Sequence, residues 1–506
     1  MKKSLVAVLC LVACYSSNAQ SKVFKQVAGE ISSTMKVITQ DDALVGYLLF
    51  TQLEKASEDS FNYRITIMDE NLNEIGKVNF KQESLSLKAV SFDKDVLCLA
   101  YIKSNVIGHH FKSIRLLRKA TEKGRNTVFT QFLNLDGKIF KTDSRSVDIG
   151  QDNAITLGFD GNAEGDLKNE IQLKNVPQKG FTCFFGDDRK RSLIMYDHSG
   201  EEVWEKSIAA AKDFALLAST DDVYLLTKNS DHTSEGRFVL LGFKNKDGQM
   251  HNKFPLEDKQ GNQLKVLAFQ NDITTGKPYI SGNIINPKKL NKFVSMKEAT
   301  KAYSGVFTIN FNGSQKKDIK EVYSYWNDGS MSPTISTKGV YAQNHGYAKF
   351  YDCIKDYNGN TYFIGSSVAK KPRWGLITSS VILSPLIAVS PLLLYSYGTH
   401  KYQLEDAMLI KQNTNGALTF ENEIESKNSG YSHPRYPIAF MERKKFYTVS
   451  NATTKSNYLI VDDVKDITIY NIDKKKVIRK VSHKDGNSTI NIFPAKEGHV
   501  MVSEYN

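Results

Sequence analysis

The chain has 506 residues, 24% of them charged and 11% aromatic, which excludes a disordered or low-complexity protein and is too long for one ordinary core. Its formal charge of +12 is scattered over short groups such as Arg189-Lys-Arg191, Lys316-Lys317 and Lys474-Lys-Lys476. No arginine-rich tract or base-stacking motif accompanies them, so solvated strand ends explain the excess and no nucleic-acid partner is expected.

The first stretch reads as a signal peptide over residues 1–19: Lys2-Lys3, an apolar run from Leu5 to Cys14, then Ser17-Asn-Ala19. Cleavage after Ala19 removes two lysines, lowers the formal +12 to +10, and predicts an exported chain in the periplasm, outside the cell or at the outer membrane. Leu11-Val-Ala-Cys14 also fits a lipobox, in which Cys14 would be lipidated and the protein anchored. Of the cysteines, Cys98, Cys183 and Cys353 survive cleavage, each within an apolar strand-like run. Their odd number and wide spacing predict buried free thiols rather than disulfides.

From there the chain repeats one pattern, a pair of β-hairpins with turn residues at each tip. The first copy takes 35–40, a turn at Asp41-Asp42 and 44–51, then 63–68, a turn at 69–73 and 75–80. The second takes 87–92 and 96–102, then 127–135 and 138–141. The third is least clear, with 154–159 and 180–185 flanking a long charged loop, then 193–196 and 202–204. The fourth takes 214–218 and 223–227, then 238–243 and 249–254; the fifth takes 265–270 and 277–284, then 305–311 and 321–326. The sixth takes 348–354, a turn at Asp356-Tyr-Asn-Gly-Asn360 and 361–367, then 406–411, a turn at Asn413-Thr-Asn-Gly416 and 417–420. The seventh takes 438–442 and 445–450, then 466–472 and 476–481, and a lone hairpin, 489–493 with 499–504, ends the chain.

Two hairpins in succession make one four-stranded propeller blade, and the period of roughly sixty residues implies larger loops than in shorter-repeat propellers. In the sixth copy, Gly365-Ser-Ser367 and the run from Asp406 to Gly416 form a strand end followed by Asp-Ala-x-Leu-x-Lys and a turn glycine. Over this blade the chain resembles secreted bacterial β-propeller-repeat proteins. The expected fold is therefore all-β: a seven- or eight-bladed β-propeller over residues 20–506, closed by mixed N- and C-terminal strands with 23–31 beside the last hairpin. Two separate β-domains would need a Pro-, Gly- or Ser-rich linker, and none is found.

Between the halves of the sixth blade, in 370–403, lies an apolar insert with no charge from Trp374 to Tyr397, broken by Ser384-Pro385 and Ser390-Pro391. It has the length of a membrane span, but one crossing would put half a blade on each side of the bilayer. The other readings are a segment packed back on the ring, and a loop that dips into a membrane surface or docks on a partner. In that last reading Lys370-Lys371 and Arg373 sit at the headgroup edge, and Trp374, Leu386, Leu392, Tyr395 and Tyr397 make the contact.

Motifs that carry chemistry are scarce. Gly-x-Ser-x-Gly, His-Glu-x-x-His and a phosphate loop are absent, and His109-His110 has no companions at metal-ligand spacing. No cofactor or metal site is expected. Asp197-His-Ser-Gly-Glu-Glu-Val-Trp204 resembles one repeat of the quinoprotein propellers, in which the recurring motif locks blades through its tryptophan; here it occurs once. Tyr431-Ser-His-Pro-Arg-Tyr-Pro437 gathers polar groups in a loop and reads chiefly as a rigid connection. The resulting expectation is a non-enzymatic binding or scaffold module that uses loops on one face for a protein or glycan partner. The alternative is a hydrolase or lyase acting on an anionic polysaccharide, with residues drawn from separate blades.

Overall fold

Strands sandwiched on both faces read as continuous apolar runs, whereas strands with one wet face alternate. All eight residues of Pro278–Ile285 are buried, and six of the seven in Gly180–Gly186. Glu74–Glu83, by contrast, alternates between exposed and half-buried positions. The first kind is the second strand of a four-stranded sheet and the second kind is its outer edge. A computed structural model describes residues 32–41, 43–57, 60–104, 115, 126–147, 171–186, 190–209, 211–229, 238–258, 260–286, 302–313, 316–372, 400–426, 431–432, 446–451, 454–462, 466–485, 488–494 and 500–505.

Seven sheets of four consecutive antiparallel strands follow one another along the chain, and a three-stranded sheet comes last. Blade six carries an extra short strand, Tyr431–Ser432, paired to its third strand through Tyr402 and Gln403. The first strands of the seven blades are Ser32–Gln40, Leu85–Asp93, Ile171–Val176, Ala211–Ala218, Gln263–Asn271, Tyr347–Lys355 and Phe446–Asn451. They lie side by side in chain order around a common axis, as in a β-propeller. The core is accordingly divided into seams between neighbouring sheets. Ile38, Tyr63 and Leu99 join blades one and two, for example, and Leu226, Ile280 and Phe307 join four and five.

Most hairpins between third and fourth strands repeat one device. A residue with positive φ ends the turn and the register then slips by one residue, the geometry of a bulged hairpin. Gly137, Gly200, Gly248 and Gly416 hold this position with φ between 65° and 92°. The carboxylate that opens a turn caps its amides: Asp197 Oδ1 accepts from the backbone N–H groups of Ser199 and Glu201, and Asp69 Oδ1 from those of Asn71 and Asn73.

Two strand assignments differ from the sequence reading. The first strand of blade three is Ile171–Val176 rather than 154–159; its alternating Gln172 and Lys174 made it read as part of the charged loop. The inner hairpin of blade seven pairs Phe446–Asn451 with Ser456–Asp462, and Ser456-Asn457 at its start disguised the second strand, although both residues are buried. Segments 154–159 and 438–442 lie outside the described residues, as do the signal peptide and the expected closing strand at 23–31. Cys98, Cys183 and Cys353 are buried free thiols, and burial pushes the thiol of Cys183 up to about 12.

Candidate functional site

The antiparallel order gives the ring two unlike rims. On one, tight turns join first to second and third to fourth strands. On the other, second strands end and third strands begin, and each blade's last strand gives way to the next blade's first; the longest stretches of chain between these ends are 105–125, 286–302 and 373–399 within blades and 148–170, 326–346 and 425–445 between them.

The expected contact residues Trp374, Leu386, Leu392, Tyr395 and Tyr397 fall in 373–399, outside the described residues, but the strands on either side are described. Thr361–Pro372 and His400–Gln412 pair as far as Pro372 opposite His400, with Lys371 Nζ 2.5 Å from Glu405 Oε1. The chain thus leaves and re-enters the ring at one point on the long-loop rim. Paired strand residues sit about 5 Å apart, whereas a bilayer core is about 30 Å thick, so a single crossing between them contradicts the register. Among the described residues no helix is long and apolar enough to cross a membrane.

The tight-turn rim holds a cleft of about 350 Å³ between blades five and six. It is lined by the turns after Gln263–Asn271, Tyr303–Phe311, Tyr347–Lys355 and His400–Gln412, and by the strand ends below them. On its floor Lys355 bridges Asp272 Oδ2 and Asn310 Oδ1, the latter at 2.7 Å, and stands 5.2 Å over the ring of Tyr279. Burial pushes the Asp272 carboxyl up. The hydrogen bond from Lys355, the N–H groups of Thr275 and Thr274 and the lysine's charge outweigh it and hold the group below the usual aspartate value.

Beside this pair a chain of side chains crosses the seam. Thr308 accepts from Ser281, lies 3.1 Å from the Thr361 hydroxyl and donates to Gln412 Oε1 at 2.7 Å. Gln412 Nε2 donates to Ser324, whose hydroxyl donates to the carbonyl of Gly416, both at 2.7 Å. These groups are buried and satisfy one another, which makes the floor rigid. Higher up, Asn312, Lys320, Asn358, Asn413 and Thr414 have side chains with no hydrogen bond to another described residue, and Lys277 Nζ donates to the Asn312 carbonyl. Three lysines and one aspartate line the cleft, so its charge is positive. The described residues hold no cluster of metal-ligand type.

None of these residues stood out in the sequence. Asn358 and Asn413 belong to the turns of the sixth copy and Asp272 to the short connection between 265–270 and 277–284, and only Thr308, alone among Val306, Phe307 and Ile309, hints at a polar contact inside a seam.

The whole chain, residues 1–506, matches a protein family described as a family of unknown function, DUF6770. No curated protein matches it. Solved structures with similar folds include the β-propeller domain of the Trilobed protease from Pyrococcus furiosus, 9% identical with a TM-score of 0.33 over 90% of this chain and 99% of that one. AztD from Citrobacter koseri is 9% identical with a TM-score of 0.34 over 91% and 99%, and the Dos1 propeller is 9% identical with a TM-score of 0.40 over 90% and 86%.

Proposed function

We propose that this chain, which belongs to the DUF6770 family, is an exported, non-enzymatic binding module that holds a partner through its long-loop rim and meets a membrane surface or that partner through the insert of blade six. One observation carries the reading: the strands Thr361–Pro372 and His400–Gln412 are paired as far as Pro372 opposite His400, so a segment uncharged from Trp374 to Tyr397 leaves a rigid blade and returns to the same place. Function concentrates where a stiff scaffold presents long connections, and this rim has them while the other has turns of two to seven residues. Lys370 and Lys371 at the root of the insert suit an anionic headgroup layer, with Trp374, Leu386, Leu392, Tyr395 and Tyr397 as the apolar contact. The leader over residues 1–19, or lipidation at Cys14, would bring the ring to such a surface.

The test is removal of Leu376 to Leu394 from the full chain, followed by cell fractionation and a thermal melt. The expected result is an unchanged melt with loss of membrane association. Membrane association that survives the deletion, in a chain whose N-terminus proves to be Gln20 rather than a lipidated Cys14, rejects the contact.

A further inference from the structure

We infer that the cleft between blades five and six binds a sugar unit carrying an acid group, a carboxylate or a sulfate. The inference goes beyond the binding-module reading: it adds a second site, on the opposite rim from the insert. Four observations point there. The cleft's volume of about 350 Å³ lies within the roughly 300–1,000 Å³ of small-molecule sites, and its lining mixes apolar surface, including Pro278, Val322 and Tyr357, with many polar side chains, as the ring faces and hydroxyls of a sugar need. Its floor is spent: Lys355 is committed to Asp272 and Asn310, and Thr308 and Gln412 to each other, so these groups hold shape rather than seek a partner. Its walls are unspent: Asn312, Asn358 and Asn413 each offer a donor and an acceptor side by side, and a sugar presents that pairing at successive hydroxyls. Lys320 and Lys277 stand at its edge with no carboxylate among the lining residues to neutralise them, Asp272 being occupied by Lys355. A bare anion would engage the lysines and leave the amides unused, whereas a neutral sugar would do the reverse.

Titration calorimetry on the full mature chain decides it, with a hexuronate trisaccharide, a neutral glucose trisaccharide of the same length and inorganic sulfate as probes. The hexuronate should bind at least roughly tenfold more tightly than either of the others, and Lys320→Gln and Asn413→Ala should each weaken it by roughly tenfold. A sulfated disaccharide compared with its desulfated form separates the two acid groups. The inference is overturned if hexuronate and neutral sugar bind equally, if sulfate alone binds as tightly, if neither variant changes affinity, or if no acidic sugar binds. Deleting Leu376 to Leu394 should leave these affinities unchanged, and the cleft variants should leave fractionation unchanged, so failure here is distinct from failure of the insert reading.

Discussion

The seam between blades three and four is mostly apolar, with Gln172 bonding the backbone of Phe214 and Leu216 at its inner edge, while that between blades five and six passes to a network of side-chain hydrogen bonds toward the turns. Across the first, Phe184, Leu193, Leu216 and Leu225 pack together and Trp204 seals the outer end. Its indole N–H donates to the carbonyl of Asn245 at 2.7 Å, and Gly248 sits so close that an added Cβ would lie 2.7 Å from the ring. Across the second, Val306 and Phe350 pack toward the long-loop rim, where Asn283 Nδ2 also donates to the Phe350 carbonyl at 2.9 Å, and toward the turns the interface passes to Thr308, Gln412 and the Lys355–Asp272 pair. At the corresponding turn glycine, Gly416, an added Cβ would meet nothing nearer than Val322 Cγ1 at 3.2 Å. Burial without polar atoms gives a seam its stability; satisfied polar groups hold two sheets at a fixed spacing while leaving a gap above them. One seam is a lock and the other a frame for a cleft.

Breaking the lock should have the larger effect. Trp204→Ala removes a buried indole and leaves a cavity between two blades, with an expected loss of ~3–5 kcal/mol in denaturant unfolding. Trp204→Phe keeps most of the packing and loses the hydrogen bond, for ~1 kcal/mol. Equal losses would mean that the hydrogen bond, not the packing, closes this seam. On the other side, Thr308→Val preserves shape but strips Gln412 and Ser281 of a partner, and should cost ~1–3 kcal/mol in the same measurement. A neutral result would show that water already serves the hydrogen-bonded half, and would remove the rigid floor on which the cleft depends.

The contrast between the seams also marks what the amino-acid sequence disclosed. Strand quartets were legible because second strands such as 278–285 and 180–186 are mostly apolar and buried at nearly every position, and turns such as Asp197 to Glu201 carry their own capping groups. The motif ending at Trp204 was visible too, and it locks two blades as the resemblance implied, although it occurs once. The polar half of the other seam was not legible. Thr308, Ser324, Lys355 and Gln412 come from separate strands, and apart from Thr308 each is unremarkable where it stands; only closing the sheets against one another brings them together. Ile171–Val176 was missed for a related reason, since its polar alternate positions look like loop until the neighbouring blade covers its apolar ones.

The smallest effect expected is on the acid side of the stability profile, where the two seams should again part. Asp272 is held below its ordinary value in the folded chain by Lys355 and by two turn N–H groups, so it contributes stability that is fully present above the unfolded-state value of about 3.9 and is lost as pH falls through the lower folded value. Asp272→Asn keeps an oxygen to accept from Thr274, Thr275 and Lys355 but has no proton to take up. The fall in unfolding free energy between pH 7 and pH 3 should therefore be shallower in the variant than in the native chain. The difference should be modest, because Asp143, Asp197 and Glu421 are also held low and still titrate in both proteins. In Trp204→Phe, which alters no ion pair, the acid limb should run parallel to the native one. If Asp272→Asn runs parallel as well, the pair with Lys355 does not hold the hydrogen-bonded seam, and the cleft's floor must owe its shape to Thr308 and Gln412 alone.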